Sequence, residues 1–178
     1  SLLATPSIVL SAESFLDELS FGVSVLRQES SLELTTTGNT IAYKDDATGI
    51  ELYADYYHKS RYRFKGSLAH IAYDSFDMTD VVLAADYLIP NSPQLSLFVG
   101  ASAGMAMQRF TQSSLSDSSI GPLYGVQLGG IYYINRHFMT ELGYRLRMTR
   151  LETEVSGSSS SIELEQLDEA YLSLLLMF

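Results

Sequence analysis

The stretch AYLSLLLMF, at positions 170–178, decides how the rest of this chain is interpreted. A soluble domain usually ends in polar, fraying residues, whereas this sequence ends on Phe178 after a run that is almost wholly apolar. The most apolar side chains recur at every second position, which is typical of a β-strand with one apolar face. The alternating set is Ala170, Leu172, Leu174, Leu176 and Phe178. The pattern predicts a strand whose apolar face meets lipid.

The same period of two recurs in seven earlier segments. They begin near Leu19, Ile50, Tyr62, Val81, Leu95, Tyr124 and Leu142. With the final stretch this makes eight predicted strands, an even number, and most can supply the roughly 9–11 residues that a tilted strand needs to cross a bilayer.

The connections between these segments alternate in length. The sequence predicts tight turns at 58–60, 90–94 and 135–137. It predicts longer loops at 30–48, 74–79, 110–121 and 152–165. Short turns at one end and longer loops at the other are how transmembrane barrels are organised. We therefore predict an all-β fold over residues 19–178, an eight-stranded antiparallel up-and-down transmembrane β-barrel.

Residues 1–18 have a different pattern and are predicted to form a separate leading segment. Apolar residues from Ile8 to Leu16 fall at helical spacing after Thr5, a candidate N-cap, and Pro6. A short amphipathic helix at the membrane interface or in the barrel mouth is one interpretation. The end of a signal peptide is the other.

The composition excludes several classes of protein. Eleven Lys and Arg against 21 Asp and Glu give a formal charge of −10, which argues against a nucleic-acid partner. The absence of Cys excludes disulfides and thiolate metal sites. No apolar run reaches the roughly 18 residues of a transmembrane helix.

Aromatic residues are concentrated beside the three short turns, as expected for a girdle at the membrane interface. Tyr57 and Tyr133 flank the same turns and are expected in the same ring, although the residues assigned to the girdle itself are their neighbours. The predicted girdle consists of Tyr56, Tyr62, Tyr87, Tyr132, Phe138 and Phe178.

Three stretches resemble a known group of proteins. They are LSLFVGASAGMAMQRF (95–110), GPLYGVQLGGIYYINRHFMTELGYRLRMT (121–149) and the final strand ending in Phe178. Together they resemble the small outer-membrane β-barrels, namely the OmpA/OmpX-type and opacity-like porin family, over roughly residues 19–178. In that group an aromatic C-terminal strand is the tag read by the barrel-insertion machinery.

The resemblance implies a Gram-negative outer membrane, short turns in the periplasm and longer loops outside the cell. The partners it implies are outer-membrane lipid and lipopolysaccharide, the insertion machinery, and a host or surface ligand at the loops. It implies a monomer and brings no catalytic residue and no cofactor. The expected role is structural or adhesive.

If the apolar positions face lipid, the charged positions between them face inward, where an eight-stranded barrel is just wide enough to be filled by side chains. Buried charges need partners, so we predict an internal ion-pair network. Arg61 shares the inward alternation. The predicted network consists of Glu51, Asp55, Arg63, Lys65, Asp86, Glu141, Arg145, Arg147 and Glu169.

Other chemical signals are weak. His58 and Ser60 form an H-x-S string that lacks an orienting acid in the same strand pair, so no hydrolase site is predicted. Asp74, Asp77 and Asp80 could gather Ca²⁺ but read better as a solvated loop. The histidines have no metal-ligand spacing, and His70 falls on the lipid-facing alternation, at the outer interface or beside a bulge.

Two alternatives stay open. The ion pairs could gate a narrow channel for ions or small solutes. A soluble lipocalin-like barrel would instead place its apolar side chains inside, towards a ligand.

Overall fold

Eight antiparallel strands make up the described part of the chain. The computed structural model describes residues 19–36, 39–59, 61–74, 76–112, 115–154 and 161–177, so the predictions for residues 1–18, Ser60 and Phe178 lie outside it. The strands are β1 (Leu19–Thr36), β2 (Asn39–His58), β3 (Tyr62–Ala72), β4 (Phe76–Pro90), β5 (Leu95–Gln112), β6 (Leu115–Tyr133), β7 (Phe138–Glu154) and β8 (Ser161–Met177).

The strands close into a barrel in which each one pairs with its sequence neighbours and β8 returns to β1. This confirms the predicted eight-stranded antiparallel fold. The three connections at 59–61, 91–94 and 134–137 lie at one end, called here the turn end. The opposite end, where β1 leads to β2, is called the loop end.

The longer loops predicted at 30–48, 74–79, 110–121 and 152–165 are wrong over most of their length. The hairpins continue there as paired strands, with Thr36 opposite Asn39 and Gln112 opposite Leu115. Beyond the membrane both faces of a strand are wet, so polar residues such as Ser and Thr replace the apolar alternation that marks a strand in sequence. The loop end therefore carries extended hairpins.

These extensions divide the loop end into two sheets. Pairing between β2 and β3 stops at Thr48 and Ala72, and pairing between β6 and β7 stops at Leu123 and Thr149. Beyond those levels, β7, β8, β1 and β2 form one extended sheet, and β5 and β6, with the start of β4 paired to β5, form the other. The open edges include β2 from residue 39 to 47.

The outside of the barrel is apolar. Large hydrophobic side chains are exposed on every strand, and Leu83 in the middle of β4 is 70% exposed. Leaving such a continuous apolar surface in water is unfavourable, and in barrels it marks contact with lipid. Among the described residues, no helix is long and apolar enough to cross a bilayer.

Candidate functional site

The charged interior of the barrel is the most unusual feature of the structure. All nine residues predicted for the ion-pair network have side chains in the interior, and none is more than 3% exposed. Asp80 on β4 joins them, although the sequence placed it in a loop. It shares the alternation of Asp86, which was the signal that could have found it.

The charged residues nearer the turn end form one group, the turn-side cluster: Asp55, Arg63, Lys65, Asp86 and Glu141. Arg63 donates from Nε and Nη2 to Asp86 Oδ2 at 2.8 and 2.6 Å and is also paired with Glu141. Lys65 Nζ lies 3.1 Å from Glu141 Oε1. The cluster therefore links β2, β3, β4 and β7 across the barrel.

The second group, nearer the loop end, is the loop-side cluster: Glu51, Asp80, Arg145, Arg147 and Glu169. Arg145 donates to both Glu51 oxygens at 2.7 and 2.8 Å, and to Glu169 at 2.6 Å. Arg147 Nη1 donates to Asp80 Oδ2 at 3.1 Å. Bidentate contacts of this kind are the strong form of the Arg–carboxylate pair.

Neutral polar side chains complete both clusters. Gln127 Nε2 donates to Asp86 Oδ1 at 2.6 Å, and Gln28 Nε2 donates to Glu169 Oε2 at 3.0 Å. Tyr171 joins the two clusters, because its hydroxyl donates to Glu141 while the Arg145 guanidinium carbon lies 3.9 Å from its ring centre. These three residues alternate in step with the charged ones, but their side chains are uncharged and they were not predicted as members of the network.

The two clusters have the same formal imbalance. Each contains three carboxylates and two cations, so each has one negative charge in excess. In the turn-side cluster the excess falls on Asp55, whose nearest ion-pair contact is 3.6 Å from Arg63 Nη1. Within the described residues, neither Asp55 oxygen accepts a hydrogen bond.

Apolar layers cover the charged middle of the barrel on both sides. Towards the loop end, Tyr73 and Phe76 stack with ring centres 4.3 Å apart, and Tyr73 donates to Gln28. Ile71, Met78, Ala106, Leu123 and Leu167 pack at the same end. Towards the turn end the buried side chains are Leu88, Phe98, Ile131, Met139 and Leu175. Charged and apolar side chains together fill the interior.

Most of the predicted girdle lies on the outside at the turn end. Tyr62, Tyr87, Tyr132 and Phe138 are exposed there, and the Tyr62 and Tyr87 rings meet edge to face at 5.7 Å. Tyr56 is half-buried. Tyr57 does not belong to the ring, because it shares the inward alternation of Asp55 and is buried.

The remaining candidates do not come together. Arg61 is exposed in a turn, because β3 begins one residue later, so the expected inward position is wrong. Asp74 is exposed, but Asp77 and Asp80 lie in β4 and Asp80 is buried against Arg147, so the predicted solvated loop is wrong at those two positions. Among the described residues, no three His, Cys, Asp or Glu side chains are placed to hold a metal ion.

His70 lies on the outer surface, as the alternation predicts. Its Nδ1 is 3.1 Å from Thr79 Oγ1 on β4, and the β3 register runs unbroken on both sides. The position near the loop end of β3, and not a bulge, therefore accounts for a polar ring on this face.

Several solved structures share this architecture. Neisserial surface protein A is 13% identical with a TM-score of 0.63, covering 88% of this chain and 97% of that one. OprG from Pseudomonas aeruginosa is 11% identical with a TM-score of 0.60, covering 89% and 95%. Ail, the attachment invasion locus protein of Yersinia pestis, is 14% identical with a TM-score of 0.50, covering 88% and 98%.

At these identities the likeness concerns the fold, and it confirms the predicted resemblance to the small outer-membrane barrels. The predicted outer-membrane location agrees with this fold, and OprG is itself named an outer membrane protein. No protein-family profile matches the sequence, and no curated protein is significantly similar to it.

Proposed function

We propose that this chain, which has the fold of the small outer-membrane β-barrels, is an integral, non-enzymatic outer-membrane protein that acts through its loop end. It spans the membrane as a monomer, and its final strand is the segment read by the insertion machinery. The role is structural, or consists of contact with a ligand at the cell surface.

The observation that carries the proposal is the inverted distribution of polarity. Leu52 and Leu83 on the outside are more than half exposed, whereas Glu51 and Arg145 on the inside are buried. A soluble ligand-binding barrel would reverse this arrangement. Lipid around the barrel suits the apolar outer face of the strands, while ion pairs inside the barrel neutralise the charged inner face.

The acidic loop end supports a surface role and limits its partner. The strand segments and connections beyond the barrel at that end carry twelve acidic and four basic residues. Exposed ion pairs such as Arg27–Asp46 and Lys44–Glu29 neutralise only part of this excess. The fitting partners are a basic protein surface, or lipopolysaccharide phosphates bridged by divalent cations. That Ail is named for attachment and invasion is in keeping with such a role.

A narrow channel is the second candidate. Asp55 supports it, because a buried carboxylate without a hydrogen-bond partner among the described residues could receive a passing cation. The apolar side chains at both ends of the interior weigh against it, since a permeating ion would lose part of its hydration shell in passing them.

Heat-modifiability tests the membrane proposal. The full chain, extracted in mild detergent, is run unboiled and boiled on a gel. A closed membrane barrel shifts in mobility on boiling and is insoluble without detergent. A chain that is soluble without detergent and does not shift would overturn the proposal.

A further inference from the structure

The exposed charges of the barrel are distributed unevenly between its two ends. All exposed or half-exposed acidic side chains in the described part, such as Glu29, Asp46 and Asp168, lie towards the loop end. The turn end instead exposes Lys59, Arg61 and Arg136. Among the described residues, a chain with a formal charge of −10 therefore has its exposed basic side chains without acidic neighbours at one end.

The basic side chains occupy two turns on opposite sides of the barrel. The turn between β2 and β3 carries Lys59 and Arg61, with His58 beside them, and the turn between β6 and β7 carries Arg136 and His137. The remaining short turn, 91–94, has no charged residue. The turn between β2 and β3 has two cations within three residues and is the stronger of the two.

Backbone hydrogen bonds are formed by Arg61 of this stronger turn. Lys59 has a left-handed φ of 53°, which reverses the chain, and the Arg61 amide donates to the His58 carbonyl at 3.2 Å. The Leu88 amide of β4 donates to the Arg61 carbonyl at 2.7 Å. The Arg61 backbone is therefore hydrogen-bonded to His58 and to β4, while both cationic side chains are exposed.

The height of the turn relative to the membrane follows from the girdle. Tyr62 comes directly after Arg61 and meets Tyr87 edge to face. Tyrosines of this kind mark the headgroup level of a bilayer. The cations of the turn thus lie at, or just beyond, the headgroups of the leaflet at the turn end.

We propose that the basic turn formed by Lys59 and Arg61 binds the phosphate of an anionic phospholipid in the leaflet at the turn end. The proposal rests on the membrane location argued above. Cations near an anionic membrane surface are favoured, and Arg can hold a phosphate with two parallel hydrogen bonds. Within the described residues neither side chain has a carboxylate partner that would compete.

The test uses the full chain, folded in vesicles of phosphatidylcholine with a minor fraction of phosphatidylglycerol. The barrel is extracted in mild detergent, and native mass spectrometry counts the lipids it retains. The wild-type chain is expected to retain phosphatidylglycerol in preference. Because each cation contributes up to about fivefold, Lys59→Gln with Arg61→Gln should reduce the preference by up to about 30-fold.

The matched control is Arg27→Gln with Lys44→Gln, which changes the net charge equally but at the loop end. It should leave the preference unchanged, and Lys59→Arg with Arg61→Lys should keep most of it. The proposal would be overturned if the wild-type chain showed no preference for phosphatidylglycerol. It would also be overturned if the two Gln double variants, at the turn end and at the loop end, lost that preference equally. The gel shift of each variant shows independently whether the barrel itself has formed, so a failed lipid site is distinguished from a failed membrane barrel. The full chain includes Glu13, Asp17 and Glu18, so any competition from these acids is part of the measurement.

Discussion

Within the turn-side cluster, the carboxylates of Asp55 and Glu141 are equally buried but differently placed. Glu141 holds Arg63 and Lys65 and accepts from Tyr171, whereas Asp55 has only the 3.6 Å contact with Arg63. Because Asp55 carries the excess charge of the cluster, removing that charge relieves an imbalance. Removing the charge of Glu141 takes away the 3.1 Å ion pair of Lys65 and leaves Arg63 with Asp86 as its close carboxylate.

We therefore expect Asp55→Asn to leave the free energy of unfolding unchanged or higher, and Glu141→Gln to lower it by about 3–5 kcal/mol. Urea unfolding of the barrel in vesicles, followed by the gel shift, measures both. The two substitutions are isosteric and remove the same charge, so each controls for the other. Equal destabilisation by the two would contradict the assignment of the excess charge to Asp55.

Gly143 on β7 gives Tyr171 the space it needs to join the clusters. A Cβ at position 143 would lie 2.3 Å from the Tyr171 ring, which Glu141 and Arg145 hold in place. We expect Gly143→Ala to lower the free energy of unfolding by about 1–3 kcal/mol. Gly130→Ala is the control, since its Cβ would meet Leu95 and Leu97 side chains only at 3.6 Å. This role would be refuted if Gly130→Ala lowered the free energy of unfolding as much as Gly143→Ala, or more.

Single strands cross more than one environment, and β2 and β4 illustrate it. Leu83 lies in the middle of β4 on the outer face, whereas Thr40 on β2 is exposed in the extended hairpin beyond the barrel. Arg at the middle of a bilayer costs about 2–4 kcal/mol in a membrane barrel. We expect Leu83→Arg to lose that much stability and Thr40→Arg to lose almost none. Refolding yield into vesicles and urea unfolding provide the measurement, and a harmless Leu83→Arg would argue against lipid on this face.

The strands were predictable from sequence where their two faces differ and not where they are alike. Between Leu19 and Val25 the apolar alternation marks β1. Between Ser31 and Thr36 the same strand continues, but only Leu32 and Leu34 alternate there, among Ser, Glu and Thr, so the signal is short. The predicted loop at 30–48 followed from this loss of contrast. Hydrogen bonding between β1 and β2, and not polarity, extends the hairpin.

The whole barrel has a filled interior, and the filling should prevent conduction. Charged clusters occupy the middle, and apolar layers that include Phe76 and Phe98 lie on either side. We expect the wild-type chain to give no steady current in a planar bilayer. Phe76→Ala with Phe98→Ala, which thins both layers, should raise leakage above that level. A steady, ion-selective current through the wild-type chain would instead favour the channel.

The alternation in the sequence indicated which side chains face the interior, but it did not indicate which residue each of them contacts. Alternation placed Glu51 and Arg145 on inward faces, yet nothing in the sequence indicates that they meet across the lumen. That contact depends on the tilt of the strands and the width of the closed barrel. The prediction also extended the inward alternation one residue too far, to Arg61, because a residue in a turn no longer follows the period of two.

The ion pairs across the interior have a consequence for how the barrel is assembled. Strand β7 supplies Glu141, Arg145 and Arg147. Their partners lie on β2, β3, β4 and β8, and of these four strands only β8 pairs with β7 in the sheet. A hairpin entering the membrane alone would bring its charges into lipid before their partners arrive. Neutralisation of the β7 charges needs strands far away in the sequence, so we expect insertion and closure to be coupled and their rate to be limited by these long-range contacts.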